Sequence, residues 1–307
     1  MTAVLQRRST LPRTRSAPIR RHRWYVPLVF VGPLLVVQGA FLFTPLVNTF
    51  VLAFTNVSTI GGGRFTGLDN FATLATDGEF WAAVGRTFLY MLVTVPVIVA
   101  VSTSLALLVN TRLRGSSVVR ALLFSPMVMP LATVAVMFQF VLRSDGLANQ
   151  VLIGLNLVAG PLPFLTSSSL ALVSLMIVTI WKGCALSTLI TLAALQNVSE
   201  ELDEAAVLDG ARWVRRIWSV TLPQIRGTTM LVGVLAAIGV LRVFTEPYVM
   251  TGGGPGTATE TIVLYLFTKG ISPGTQAGYA SAISLALFVF VLAAAALSWT
   301  VTRGRRA

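Results

Sequence analysis

Six stretches of this chain are each long and apolar enough to cross a lipid bilayer. A membrane-spanning helix needs about 20 mostly apolar residues. Such runs cover approximately Tyr25–Phe54, Phe88–Val109, Val118–Leu142, Leu170–Leu195, Met230–Met250 and Tyr279–Thr302. In hydrocarbon every backbone N–H and C=O must be paired within the protein, which restricts spanning segments to helices or closed barrels. Runs of this length select helices. The expected fold is therefore all-α and integral to the membrane, with six transmembrane helices. Prolines fall inside several runs: Pro33 and Pro45 in the first, Pro96 in the second, Pro126 and Pro130 in the third. They are expected to kink these helices rather than break them, because neighbouring helices can satisfy the freed carbonyls.

Charge supports the same reading. Of 307 residues, 55% are apolar and only 11% charged, against roughly 25% charged in soluble domains. The net charge of +12 resembles a nucleic-acid footprint until its distribution is examined. Seven basic residues precede Trp24 and three follow Val301. With the N-terminus inside, the inner segments also hold Arg112, Arg114, Arg120, Arg212, Arg215, Arg216 and Arg226, which brings the inner count to seventeen. The outer segments hold four: Arg64, Arg86, Arg143 and Lys269. The excess of Lys and Arg on one side places both termini in the cytoplasm. The expected organisation is a basic tail over 1–24, a six-helix transmembrane domain over 25–302 and a second basic tail over 303–307. The first apolar run is too long for a signal-peptide core of 7–15 residues. The basic tail instead suits contact with anionic lipid. No nucleic-acid partner is implied.

The single cysteine, Cys184, excludes an intrachain disulfide. With one histidine, His22, in the basic tail, neither a Cys/His metal site nor a Cys–His or Ser–His catalytic pair can be assembled. No catalytic residue and no metal ligand is expected.

Between the first two runs, Gly61-Gly62-Gly63 marks a turn. Gly67-Leu68-Asp69-Asn70-Phe71 and Phe80-Trp81 then read as an amphipathic segment on the outer interface. The gap before the fifth run, about 197–225, is the most informative. Ser199 is a suitable N-cap, and Glu200 and Glu201 fall in a first turn where the helix dipole favours negative charge. Leu202, Ala205 and Ala206 share a face, and Gly210 can end the helix in the left-handed conformation. A second short helix follows. Trp213, Ile217 and Val220 form its apolar stripe, Arg212, Arg215, Arg216 and Ser219 its solvent side, and Pro223 its end.

This helix–turn–helix carries a specific pattern. Glu204-Ala205-Ala206, then three residues to Gly210, then nine to Val220-x-Leu222-Pro223, resembles the EAA loop of importer permeases in the ATP-binding-cassette superfamily. Val220 stands where that family usually has Ile, and Gly227 where a second proline is frequent. A second stretch, Val243-Phe244-Thr245-Glu246-Pro247-Tyr248-Val249-Met250-Thr251-Gly252-Gly253-Gly254-Pro255, is similar to the fifth-helix exit of carbohydrate-importer permeases, specifically the first permease subunit of maltose- and glycerol-3-phosphate-type systems. The glycine run is no phosphate loop, since no Gly-Lys-Ser/Thr follows it.

The resemblance implies a chain that binds no cofactor and lacks its own motor. ATP and magnesium would sit on two copies of a partner ATPase. A second permease of the same fold would complete a heterodimer, and an extracytoplasmic binding protein would deliver the substrate. The complex would lie in a bacterial or archaeal plasma membrane. The resemblance further implies that Glu204, Ala205, Ala206, Asp209, Gly210, Leu222 and Pro223 couple the permease to the ATPase.

Charged residues inside apolar runs must face a cavity or a partner, since a charge at mid-bilayer costs at least about 2.5 kcal/mol. Arg242 and Glu246 are four apart, on one face of a continuous helix. They either line the substrate pathway or form an internal ion pair that orients the fifth helix. Lys182 follows Trp181, a pairing that suits carbohydrate, although Lys182 can equally snorkel toward a headgroup. Gln139 and Tyr248 complete the candidate pathway. Two other readings need different features. An amino-acid, phosphate or polyamine permease fits the Thr-Gly-Gly-Gly-Pro exit less well. An integral membrane transferase needs an acidic cluster for a metal, and the densest acidic segment, Glu200–Asp209, matches the coupling pattern instead.

Overall fold

The computed structural model describes residues 25–58, 61–110, 116–271 and 276–303, all helix and loop apart from two isolated bridges. The chain divides into two units, Met1–Asn48 and Thr49–Ala307. The first contains α1 (Tyr25–Gln38), a π-helical turn (Gly39–Phe43) and the start of α2 (Thr44–Leu52). The π turn lets the Thr44 hydroxyl donate to the Gly39 carbonyl at 3.0 Å. The N-terminal basic tail, residues 304–307 of the C-terminal one, and Arg112 and Arg114 lie outside the described residues.

In the second unit, α3 (Asp69–Thr76) precedes α4 (Gly78–Val109). The third apolar run forms α5 (Ser116–Val128) and α6 (Leu131–Val141), and α7 (Leu147–Gly154) lies beyond it. Next come α8 (Ser168–Leu195), α9 (Glu200–Leu208) and α10 (Trp213–Arg216). A π turn over Ile217–Thr221 leads into α11 (Leu222–Leu241). A further π turn covers Pro247–Thr251, and α12 (Ile262–Ile271) and α13 (Ala277–Arg303) complete the chain. Among the described residues, five helices are long and apolar enough to span a membrane, six if the bent α5–α6 pair counts as one.

Helices α4 and α8 form the centre, with α11 packed beside both. Small and β-branched residues make this approach close, as membrane helices require. Gly183 of α8 faces the Ile98 side chain so closely that a Cβ would come within 2.9 Å of it. Tyr90, Leu175 and Val178 are fully enclosed in the resulting core.

Four expectations need correction. The third run is broken, not kinked: α5 and α6 meet at 102°. Pro130 lacks the N–H needed to continue the helix, and its backbone (φ −59°, ψ 136°) is extended. The second run begins ten residues earlier than read, because Asp77 caps α4, its Oδ1 accepting from the N–H groups of Glu79 (3.0 Å) and Phe80 (3.2 Å). Phe80 and Trp81 therefore belong to this helix, with Phe80 buried in the core rather than lying at the interface. Pro223 does not end the second loop helix. Trp213–Leu241 is one helical span of 29 residues, with Pro223 in the first turn of α11, where no N–H is needed once the π turn has shifted the ladder. Finally, the fifth span stops at Leu241, so Arg242 and Glu246 do not share a continuous helix.

Candidate functional site

The broken third span and the end of the fifth both pack against α8, and two α8 residues meet them. Thr179 and Lys182 are three apart and so share a face. Lys182 Nζ donates to the carbonyl of Pro126 at 2.7 Å and to that of Met129. Pro126 O is the acceptor that residue 130 would have used in an unbroken helix. The lysine thus gives Pro126 O the donor that Pro130 cannot supply, and also meets Met129 O at the break.

One turn away, Thr179 Oγ1 donates to Glu246 Oε1 at 2.9 Å. Thr179 Oγ1 also lies 2.7 Å from the Tyr90 hydroxyl. Since the threonine proton is committed to the carboxylate, Tyr90 is the donor in that second contact. Glu246 is 3% exposed, and its Oε2 has no hydrogen-bond partner among the described residues. Arg242, by contrast, is exposed, and among the described residues no ion pair joins it to Glu246. The ion pair, one of the two readings the four-residue spacing allowed, does not form, because the helix that would have stacked the two charges ends between them; Glu246 bonds Thr179 instead.

Between α5, α8 and α11 lies a cavity of about 310 Å³ whose lining is mostly apolar but includes Thr179, Lys182 and Ser187; Glu246 does not line it. Trp181 is partly exposed and meets Phe138 edge-on at 5.4 Å. Tyr248 is exposed and stacks on Phe244, centroids 5.1 Å apart and planes 14° from parallel. Gln139 Nε2 reaches the Met250 carbonyl at 3.5 Å and lines a second cavity of about 620 Å³ with Arg143, Thr166 and Thr251. Lys182 and Glu246 therefore share one neighbourhood through α8, whereas Gln139 lies at the other cavity. Thr179 and Tyr90 escaped sequence reading. The available signal was the three-residue spacing from Thr179 to Lys182.

The glycine-rich exit is a closed, anchored loop. Gly252, Gly253 and Gly256 all have positive φ (61°, 88° and 61°), a geometry that disfavours other residues. Thr259 Oγ1 donates to the Gly254 carbonyl at 2.9 Å. Arg86 of α4 fastens the loop from the side, with Nε on the Glu260 carbonyl (3.0 Å), Nη1 on Thr257 Oγ1 (3.1 Å) and Nη2 3.7 Å from the Glu260 carboxylate. Burial pushes that carboxyl up from its ordinary range, against the pull of Arg86.

At the same end of the bundle, Asp77 accepts hydrogen bonds from the hydroxyls of Tyr265 and Tyr279, which ties α4 to α12 and α13. Burial alone would raise the Asp77 carboxyl. The two tyrosine donors and the two cap N–H groups outweigh it and hold the group below its usual range.

The 197–225 loop folds as a helix–turn–helix. Gly210 has φ +73°. Ala211 N–H bonds the Ala206 carbonyl at 2.9 Å and Gly210 N–H the Val207 carbonyl at 3.0 Å, the paired bonds of a Schellman turn. Ser199 precedes α9, though its side chain makes no capping bond. Glu204, Ala205, Asp209 and Gly210 are exposed, and Ala206 is half-buried. Leu202, Val207 and Leu208 are exposed on α9, Leu208 at 88%. Leu222 packs against a core of Ala106, Val109, Leu192 and Ile225, while Pro223 faces outward. Arg216 is not on a free solvent face: its Nη2 bonds Asp203 Oδ2 at 3.0 Å and so ties α10 back to α9. Among the described residues, no three His, Cys, Asp or Glu side chains converge on a point that could hold a metal ion.

A multi-pass helical bundle with a broken span, a cavity beside it and an exposed helix–turn–helix defines a membrane permease. Residues 71–302 match the family described as the inner membrane component of binding-protein-dependent transport systems, and the chain belongs to that family. It is 35% identical over 280 residues to the trehalose/maltose transport system permease protein MalF of Thermococcus litoralis, a match covering 91% of this chain and 94% of that protein. It is 28% identical over 284 residues to the lactose transport system permease protein LacF of Rhizobium radiobacter, covering 91% and 94%. Its fold is similar to that of a chain in the crystal structure of a bacterial ABC transporter for the acidic polysaccharide alginate, with a TM-score of 0.76 and 21% identity over 92% of this chain and 96% of that one.

Proposed function

We propose that this chain is the permease subunit of an ATP-driven carbohydrate importer, forming half of the translocation pathway and hydrolysing nothing itself. The similarity to permeases named for trehalose/maltose and lactose transport supports the carbohydrate assignment. The observation that carries the pathway is the broken third span beside α8, with Lys182 lining the cavity between them. Interrupted helices at membrane depth are tolerated where they line a cavity, and they mark substrate sites in transporters. Lys182, Glu246, Arg242, Trp181, Tyr248 and Gln139 supply the polar and aromatic groups that a polyhydroxylated substrate needs. Lys182 serves a second purpose by holding the third span open at Pro130.

Two ATPase copies, a second permease and an extracytoplasmic binding protein complete the machine. Both termini and the 197–225 loop are cytoplasmic. Helix α9 presents Glu204, Leu208 and Asp209 to a cleft in the ATPase. When the ATPase closes, the push passes through the Gly210 turn into Trp213–Leu241. At 1.5 Å per residue, this 29-residue span is a lever about 43 Å long. Its far end is the break beside Glu246, so movement of the loop is delivered to the cavity.

The test is uptake in the native host. Deleting this chain should abolish ATP-dependent uptake of the saccharide that the wild type accumulates, and a plasmid copy should restore it. An affinity tag on the chain should recover the ATPase and the second permease. Unchanged uptake of every saccharide tested, with no ATPase recovered, would contradict the assignment.

A further inference from the structure

No charged residue lies between Asp145 and Lys182. Much of that stretch is the membrane-spanning α8, where charge is costly. It also takes in α7 and the whole connection from α7 to α8, although roughly a quarter of the residues in soluble domains are charged. A connection that faced water would have no reason to exclude them.

Helix α7 is amphipathic in the sense opposite to a water-facing helix. Its asparagine points inward. Asn149 is fully buried, with Nδ2 donating to the carbonyls of Arg143 (3.1 Å) and Leu162 (3.0 Å) and Oδ1 accepting from the Leu162 N–H (2.8 Å). Its aliphatic side chains point outward. Leu147, Val151 and Leu155 are four apart and so share a face, and they are 62%, 56% and 64% exposed. Leu157, just past the helix, is 66% exposed. Gln150, also exposed, turns its amide back onto the Asp145 carbonyl at 2.9 Å.

The helix sits where the third span ends. At Gly146 a Cβ would lie 2.4 Å from the Phe140 carbonyl oxygen, so the start of α7 is pressed onto the last turn of α6. Helix α6 itself exposes Val136, Met137 and Phe140. The apolar face of α7 thus follows directly on the exposed apolar surface of a membrane-spanning segment.

We propose that α7 lies in the lipid bilayer interface, with Leu147, Val151, Leu155 and Leu157 among the acyl chains and Asn149 holding the helix to the bundle. The topology given above makes this the outer leaflet. An amphipathic helix in the interface buries its apolar face about 5–10 Å into the headgroup and acyl boundary. Lipid fits better than a protein partner. A stable protein interface buries about 800 Å² on each side and is anchored by Trp, Tyr or Arg. From Leu147 to Leu157 there is no such anchor. A partner that docks and leaves would also return these side chains to water each time. Headgroup charge is not the attraction, because the flanking Arg143 and Asp145 pair with each other at 3.2 Å. The segment after Leu162 supplies Phe164, Leu165 and Thr166 to the cavity of about 620 Å³, so the Asn149 bonds join the lipid anchor to that wall.

The experiment uses the full chain, purified with whatever subunits accompany it and reconstituted in phosphatidylcholine bilayers. In a Cys184→Ala background, a nitroxide is attached to Leu147→Cys, Val151→Cys or Leu155→Cys, with Asp145→Cys as the control. All four positions are exposed, and intact folding is checked by thermal melting. Collision rates are measured with oxygen, which concentrates in hydrocarbon, and with a neutral nickel chelate, which stays in water. The logarithm of the oxygen-to-nickel ratio should be positive at the three α7 positions and negative at Asp145. A negative value at all three would place α7 in water and overturn the proposal. Low collision rates with both reagents at all three would show that protein covers the face, and would overturn it equally. The readout involves no transport, so it holds whether or not the chain carries carbohydrate.

Discussion

Lys182 donates to the carbonyl of Pro126, the acceptor that the helix would have used for the N–H of residue 130 had that residue not been proline. One side chain on α8 thus stabilises a 102° break in a neighbouring span. Removing it leaves the part-buried Pro126 carbonyl without that donor, at about 1–3 kcal/mol, and the exposed Met129 carbonyl without one at less cost. Lys182→Met should lower the melting temperature of the purified permease and reduce transport together. Lys182→Arg, which keeps the donors, should be milder. Equal melting of Lys182→Met and the wild type would remove this role.

Glu246 is expected to couple to Thr179 and not to Arg242. In a double-mutant cycle read by transport rate, Thr179→Val and Glu246→Gln should be non-additive by about 0.5–3 kcal/mol. Arg242→Ala and Glu246→Gln, which share no partner in the structure, should add to within about 0.5 kcal/mol. The reverse pattern would restore the ion pair that the four-residue spacing first implied.

How much of this was legible in the sequence depended on the kind of interaction. The apolar runs, the Gly210 turn and the glycine-rich exit were legible because each rests on local chemistry: run length, a left-handed position and a loop of glycines. The break at Pro130 was misread as a kink because its stability depends on Lys182, 52 residues further along the chain. The Arg216 bridge to Asp203 was missed because helical periodicity assigns a face but says nothing of how α9 folds back across the turn. The Thr179–Glu246 bond was hidden by the assumption of a continuous fifth helix. The tie of Arg86 to the 257–260 loop spans more than 170 residues, and no local pattern announces it.

Asp77 offers a test through pH. Its folded pKa lies below the ordinary 3.8, so its contribution to stability is fully present above that value and is lost as pH falls through the folded one. Asp77→Ala removes the cap of α4, worth about 1 kcal/mol, together with both tyrosine contacts. It should melt at a lower temperature at neutral pH, and the gap from the wild type should narrow only below pH ~4. A gap that stays constant down to strongly acidic pH would show that the charge on Asp77 contributes nothing.

The orientation is open to direct labelling. In a Cys184→Ala background, Gly62→Cys and Asp145→Cys should react with an impermeant thiol reagent applied to intact cells. Arg215→Cys should react only after the cells are opened. Labelling of Arg215→Cys from outside would invert the topology and detach the loop from any cytoplasmic ATPase.

The central claim is that the Glu204–Pro223 loop transmits ATPase closure to the membrane helices, and binding-protein-stimulated ATP hydrolysis in the reconstituted complex measures it most directly. Glu204→Ala removes an exposed carboxylate from α9. If that group is desolvated against a basic residue of the ATPase, truncation costs about 2–5 kcal/mol of subunit contact. Gly210→Val places a β-branched side chain at φ +73° and should misdirect α10 and the lever behind it. Both variants should insert in the membrane, yet show no uptake and no stimulation of hydrolysis by loaded binding protein. Normal uptake and full stimulation in both would reduce the loop to a connector and contradict the coupling mechanism.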